Sequence, residues 1–240
     1  MPYSNLDGML LYFCHIPKTG GRNIERWMND AFGNIGFIDA DWTDRWKRGG
    51  WISDRLGTSR QHMDWATACG QLDRTPDQVF AVVRDPVTRL QSEYRFQSRH
   101  RRKRRALARI GFTRWCRVMF VASRIYPSVF DNHFRCQSDF VPPEAKVFYF
   151  EDGLDAVTVW LASLAPKDLP AVVLQGPETY AHVGDFDTSE EDLALIRSWF
   201  ARDYESFGYK REPGSGVARI PLRDRMLGLI VALAFRMGRI

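Results

Sequence analysis

Long apolar runs are missing from this chain of 240 residues. Its most apolar stretch, Met226 to Phe235, has ten residues, well short of the roughly 20 that a membrane-spanning helix needs. Met1 to Gly8 carries no basic region leading into an apolar run, so no secretory signal is visible and a cytoplasmic location is expected. Cysteine is scarce. Cys14, Cys69, Cys116 and Cys136 stand far apart with no C-x-x-C pair, which argues against a zinc site and a dense disulfide framework and predicts small core residues. Internal repeats and low-complexity linkers are absent as well. The net charge of +5 is too modest to call for nucleic acid as a partner. Its distribution is uneven, since Arg99 to Arg105 reads RHRRKRR, six formal cations in seven residues.

The chain does have a hydrophobic content of 45%, enough for a sizeable core. Met9 to Ile16 is apolar almost throughout, as a strand buried on both faces is, and it stops at Pro17. Asn23 to Phe32 follows with Ile24, Trp27, Met28 and Phe32 at helical spacing. Gln78 to Asp85 is a second strand, closed by Pro86, which suits the first turn of a long helix through Leu90 and Tyr94. Lys146 to Glu151 is a third, leading into a helix over Leu154 to Leu164. A weaker strand is expected over Thr58 to Met63, and Trp42 to Gly57 reads as loop with short helix. Ser189 to Tyr204 is expected to be one amphipathic helix, entered through the capping sequence Thr188-Ser-Glu-Glu191. Strands alternating with helices predict an α/β protein: a three-layer α/β/α, P-loop-like fold with a mainly parallel central sheet. One domain is expected over residues 1–221, followed by a short apolar and basic helix over 222–240.

The turn Pro17-Lys18-Thr19-Gly20-Gly21 lies between the first strand and its helix. Two glycines there let backbone N–H groups converge on an anion, and the helix N-terminus adds the positive end of its dipole. Lys18 can neutralise charge on a leaving phosphate, while Thr19 and the amides of Gly20, Gly21 and Arg22 can donate hydrogen bonds. On local chemistry alone a plain tight turn fits these residues equally well. A Walker A loop places its lysine after the glycines, whereas here it precedes them, which counts against ordinary nucleotide hydrolases. Further on, Arg84 leaves the end of a strand and Ser92 sits two turns into the next helix, so a cation and a hydroxyl can close on one phosphate. The plain alternative is an arginine pairing Asp85 and a serine on a helix surface. Arg89, one turn before Ser92, either contributes or is solvated.

His15-Ile-Pro-Lys-Thr-Gly-Gly21 resembles the 5′-phosphosulfate loop of the Golgi-type carbohydrate sulfotransferases, with Arg22 where that family often has Ser or Thr. Arg84-Asp-Pro-Val-Thr-Arg-Leu-Gln-Ser-Glu-Tyr94 resembles the 3′-phosphate-binding strand and helix of the same family. The resemblance extends over roughly residues 9–209, where Asp203-Tyr-Glu-Ser-Phe-Gly-Tyr209 looks like the closing helix of bacterial members. It implies 3′-phosphoadenosine 5′-phosphosulfate as donor, a hydroxyl acceptor and no metal. The donor contacts it implies are Lys18, Thr19, Gly20, Gly21, Arg22, Asn23, Arg84 and Ser92, with Lys18 also acting on the leaving group.

Sulfuryl transfer needs a base for the attacking hydroxyl, and histidine suits that role near pH 7. Gln61-His-Met-Asp-Trp65 resembles the His-x-x-Asp-Trp segment of heparan sulfate 6-O-sulfotransferases, which makes His62 the expected base, although one residue here separates the histidine from the aspartate. His133 is second, in Asp131-Asn-His-Phe-Arg-Cys-Gln-Ser138, which looks like the N-x-H-x-R-P-Q stretch of related enzymes. Arg135 in that stretch either approaches the sulfonate or forms a structural ion pair. His15 is expected to pack beneath the loop, and His100 and His182 receive no role. The acceptor implied is a glycan or a lipid-linked glycan, attracted by the Arg99 to Arg105 run if that run is more than a solvated helix end. Trp42, Trp46, Trp51 and Trp65 either stack on sugar or anchor the core. The C-terminal helix, between Arg223 and Arg225 and Arg236 and Arg239, suits either an interfacial anchor at the inner face of a membrane or packing on its own domain. Two rival functions remain: a nucleotide kinase or hydrolase, and a non-catalytic anion or glycan binding module.

Overall fold

The structure, a computed structural model, describes residues 2–33, 35–37, 58–99, 107, 109–165, 188–210 and 219–237. The expected loop over 42–57 with Trp42, Trp46 and Trp51, residues 100–105 of the basic run, His182 and Arg239 lie outside the described residues. In chain order the elements are β1 (Tyr3–Leu6), β2 (Met9–Cys14), α1 (Gly21–Phe32), α2 (Trp65–Cys69), β3 (Gln78–Val83), α3 (Pro86–Arg99), α4 (Phe112–Ile125), β4 (Lys146–Tyr149), α5 (Asp155–Leu164), α6 (Glu190–Trp199), α7 (Ala201–Phe207) and α8 (Leu222–Arg236). They fall into two compact units, Met1–Arg84 with Asp139–Thr179 and Asp85–Ser138 with Tyr180–Ile240.

The first unit is built on a sheet of order β1-β2-β3-β4. β2, β3 and β4 run parallel, with Phe13 beside Phe80 and Phe80 beside Lys146. The predicted mainly parallel sheet is present. β1, which periodicity did not reveal, pairs antiparallel with β2 from Tyr3 beside Tyr12 to Leu6 beside Met9. Its two-residue turn is Asp7-Gly8, with φ of 50° and 96°, the pair of positive values that a tight hairpin needs and that Asp-Gly tolerates. Alternation along the strands sends Leu11, Phe13, Phe80 and Val82 to one face, where they pack with Ile24, Trp27 and Met28 of α1 and Val157 and Leu161 of α5. Tyr12 points to the opposite face and meets Trp65 of α2 edge-on at 5.5 Å, so Trp65 is a core anchor. The sheet is thus the middle layer of this unit.

Two local expectations are corrected here. Thr58 to Met63 is not a strand but a 3-10 turn over Arg60–His62, in which Ser59 Oγ accepts from the His62 N–H at 3.2 Å and Thr58 Oγ1 donates to the His62 carbonyl. Two adjacent hydroxyl residues offered the backbone local partners in place of a ladder. Cys69 is exposed at the end of α2, whereas Cys14, Cys116 and Cys136 are buried as expected.

In the second unit, the helix expected over Ser189 to Tyr204 is two helices that meet at buried Phe200 (φ −98°, ψ 27°). The cap is Ser189, whose Oγ accepts from the Asp192 N–H at 3.2 Å, one residue later than the predicted capping sequence places it. α8 packs along α4: Arg114 Nε donates to Asp224 at 2.7 Å, and Phe235 meets Tyr126 and Phe130. No helix among the described residues is long and apolar enough to cross a membrane.

Candidate functional site

β2 ends at Cys14, and the chain turns into α1 through Lys18 (φ 72°) and Gly20 (φ 87°), both left-handed. Glycine adopts that conformation freely, whereas lysine does so at a cost of about 1–2 kcal/mol. Thr19 is fully buried, and its Oγ1 donates to the Ile16 carbonyl at 2.9 Å, so its hydroxyl braces the turn from inside. Gly20 is the N-cap of α1 and supplies no side-chain cap. The N–H groups of Gly20, Gly21 and Arg22 therefore precede the first intrahelical bond of α1. The Asn23 N–H turns back to the Gly20 carbonyl at 3.0 Å, and the Arg22 side chain is exposed.

Arg84 stands just past the end of β3, beside β2 in the parallel sheet, which brings the two chain ends to the same edge. Its Nη1 donates to the Lys18 carbonyl at 3.2 Å, and its guanidinium lies 4.2 Å over the Phe150 ring. Phe150 also underlies the turn. A Cβ on Gly20 would come within 3.1 Å of Leu154 Cδ1 and 3.3 Å of Phe150 Cε2. An uncapped helix N-terminus beside a lysine and an arginine fits a phosphate or sulfate end in charge and in donors.

Beneath the turn lies a buried polar cluster that sequence reasoning missed in part. His15 packs under the loop as expected, so closely that a Cβ on Gly21 would stand 2.1 Å from its ring. His15 Nδ1 pairs with Glu25 Oε1, and Gln61 Nε2 donates to both Glu25 oxygens at 2.8 and 2.7 Å. Burial works against a charge on Glu25, yet the attraction and hydrogen bond of His15, joined by Gln61 and His62, hold its carboxyl below the usual range. The His62 ring meets the His15 ring edge-on at 5.0 Å. Lys18, Thr19, Gly20, Gly21, Arg22, Asn23, Arg84 and His62 thus all belong to the first unit, and His62 is tied to the Lys18 turn through His15. Asp64 caps α2 by accepting from the Thr67 N–H at 3.0 Å.

Ser92 lies in the second unit, in the middle of α3. Arg89 is not solvated: it is 2% exposed, and its Nη2 donates to the carbonyls of His133 and Arg135 at 3.1 and 2.7 Å. It braces the segment that carries His133. His133 Nδ1 pairs with Glu93 at 2.6 Å, Glu93 accepts from Gln97 Nε2 at 2.7 Å, and Trp115 Nε1 reaches Gln97 at 3.3 Å. Phe130, Asp131 and Asn132, just before His133, all have positive φ, at 50°, 63° and 63°. Three such residues in succession are a strained turn that the surrounding structure must hold. Arg135 donates from Nε to Asn132 Oδ1 at 3.1 Å, a contact inside that turn.

The model of the sulfotransferase family matches residues 7–156. The match takes in the Lys18 turn, His62, the Arg84 to Ser92 block and His133. The chain belongs to the sulfotransferase family, and the transfer of a sulfuryl group is its class of reaction. No curated protein and no solved structure matches the chain.

Proposed function

We propose that the chain moves the sulfuryl group of 3′-phosphoadenosine 5′-phosphosulfate to a hydroxyl of a glycan or glycolipid. The observation that carries this reading is the junction at Lys18. There an uncapped helix N-terminus, a left-handed lysine and the Arg84 guanidinium meet within the stretch that the family matches. The bound donor supplies an activated sulfuryl group and a phosphate as leaving group. Lys18 and the amides of Gly20, Gly21 and Arg22 hold the 5′ end, with Thr19 and Asn23 shaping the turn, and Arg84 with Ser92 holds the 3′-phosphate. Lys18 offsets the charge that builds on the leaving oxygen. His62 takes the proton of the acceptor hydroxyl, a role for which an imidazole is suited near neutral pH. No metal enters this scheme. The acceptor class rests on the resemblance to heparan sulfate 6-O-sulfotransferases and on the Arg99 to Arg105 run, which would attract a polyanion.

A second assignment of the base has its own support. Glu93 pairs with Nδ1 of His133, the arrangement by which a carboxylate orients a basic imidazole. One experiment separates these readings: radiolabelled donor with polysaccharides, lipid-linked sugars and small alcohols, run on the wild type, His62→Ala and His133→Ala, with binding of adenosine 3′,5′-bisphosphate measured in parallel. The expected result is transfer by the wild type and a loss of about 10²–10⁴ in rate for His62→Ala, with bisphosphate binding unchanged. The same loss in His133→Ala alone moves the base to His133. Bisphosphate binding without transfer favours a binding module, and a thermal shift with ATP and magnesium but none with the bisphosphate favours a kinase or hydrolase.

A further inference from the structure

We propose that α8 is an interfacial anchor whose outer face docks on an anionic lipid bilayer. Asp224, Gly228, Val231, Ala232 and Phe235 recur three and four residues apart and are buried, with Gly228 set against Val121 and the Val118 carbonyl of α4. The opposite positions are Leu222, Met226, Leu229, Ile230, Leu233 and, one residue past the helix, Met237. These six are 38–71% exposed. At 3.6 residues per turn they fall within an arc of about 100°. Arg223 borders that arc on one side, Arg225 and Arg236 on the other, and all three are exposed. The helix's single acid, Asp224, lies on the buried side and is bonded to Arg114.

The surface α8 presents is therefore an apolar stripe edged by cations, with no anion among its own exposed side chains. Charge complementarity selects the occupant. Arginines at the borders of an apolar stripe can reach anionic headgroups while the stripe enters the acyl boundary. A second copy of this face would set arginines against arginines across a two-fold axis. The helix is about 22 Å long at 1.5 Å per residue, too short to span, and suited to lying in the plane of the surface. This inference goes beyond the sulfuryl-transfer reading and does not depend on it.

The test is co-sedimentation of the full chain with vesicles of phosphatidylcholine, alone or mixed with phosphatidylglycerol. The wild type should pellet with the anionic vesicles, far less with the neutral ones, and less as salt is raised. The triple variant Leu229→Ser, Ile230→Ser, Leu233→Ser should lose at least about tenfold in partition. Arg223→Gln, Arg225→Gln and Arg236→Gln should each lose about fivefold at low salt. Thermal midpoints should stay unchanged, because these side chains are exposed, and so should transfer to a soluble acceptor. Failure of the wild type to pellet with anionic vesicles would overturn the proposal, as would equal pelleting by the wild type and the serine variant. A wild-type dimer in light scattering that the serine variant converts to a monomer, without vesicle binding, would assign the face to self-association instead.

Discussion

Gly21→Ala tests how the Lys18 turn is built. In an open first turn of a helix, alanine would stabilise by about 0.5–1 kcal/mol over glycine. Here the new Cβ would stand 2.1 Å from His15 Cδ2 and Nε2, so the ring must move. It has little room: His15 is 3% exposed, stacks on Phe13 and is tied to Glu25 through Nδ1. Overpacking costs about 1–3 kcal/mol, and loss of the hydrogen bond to a buried carboxylate adds about 1.5–3 kcal/mol. After the helix gain the net loss is about 1.5–5.5 kcal/mol, a fall of roughly 3–22 °C in thermal midpoint for a chain of this size. In a His15→Ala background the obstacle is gone, and Gly21→Ala should then raise the midpoint by a few degrees. Scanning fluorimetry on the wild type, both single variants and the double variant reads the sign in each background. The same sign in both, or no effect in the wild type, would refute the packing of His15 beneath Gly21.

Four further outcomes are expected. The Glu25 carboxyl is held below its ordinary value of 4.5, so it contributes stability above that value and loses it as pH falls through its folded-state value; the midpoint-against-pH curve of Glu25→Gln should be flatter on the acid side than that of the wild type. Lys18→Ala should lower the rate of sulfuryl transfer by about 10²–10³ with little change in midpoint, as steady-state kinetics beside a melt would show. Gly228→Ala puts a Cβ 2.6 Å from Val121 Cβ and 2.8 Å from the Val118 carbonyl; it should cost about 1–3 kcal/mol and make α8 more sensitive to limited proteolysis. Ser189→Ala removes the cap of α6 and should cost about 1 kcal/mol in denaturant unfolding.

What was legible in the sequence was set by local rules. Met9 to Cys14 and Gln78 to Val83 are apolar because both of their faces are covered, and Pro86 opens α3 where its missing N–H does no harm. β1 was not predicted; the local signal that marks it is Asp7-Gly8, a two-residue turn between short runs that alternation alone could not separate. The misread strand at Thr58 to Met63 shows the Thr58 and Ser59 hydroxyls giving the backbone local partners, and the break at Phe200 shows tertiary packing overriding an unbroken helical period. The meeting of Lys18 and Arg84 was legible because both follow the ends of neighbouring parallel strands, a spacing fixed by backbone geometry. Glu25 was not singled out, although it carries a charge on the buried stripe shared with Gly21, Ile24 and Met28, which is the signal that a partner must lie beneath. Nothing local in the sequence pairs Glu93 with His133 across 40 residues. That contact is made by the folded second unit.

β3 and β4 are hydrogen-bonded neighbours, yet everything from Arg84 to Ala145 is synthesised between them. At about 5–20 residues per second, the outer edge of β3 emerges from the ribosome several seconds before the strand that covers it. The second unit has the same property, since α4 leaves the ribosome long before α8 arrives to cover it. Neither unit is continuous in the chain, so no early fragment can close its own core. An open parallel edge and a bare apolar helix face are what holdase chaperones recognise and what aggregation uses. Slowed translation ahead of β4 should therefore send more of this protein into inclusion bodies.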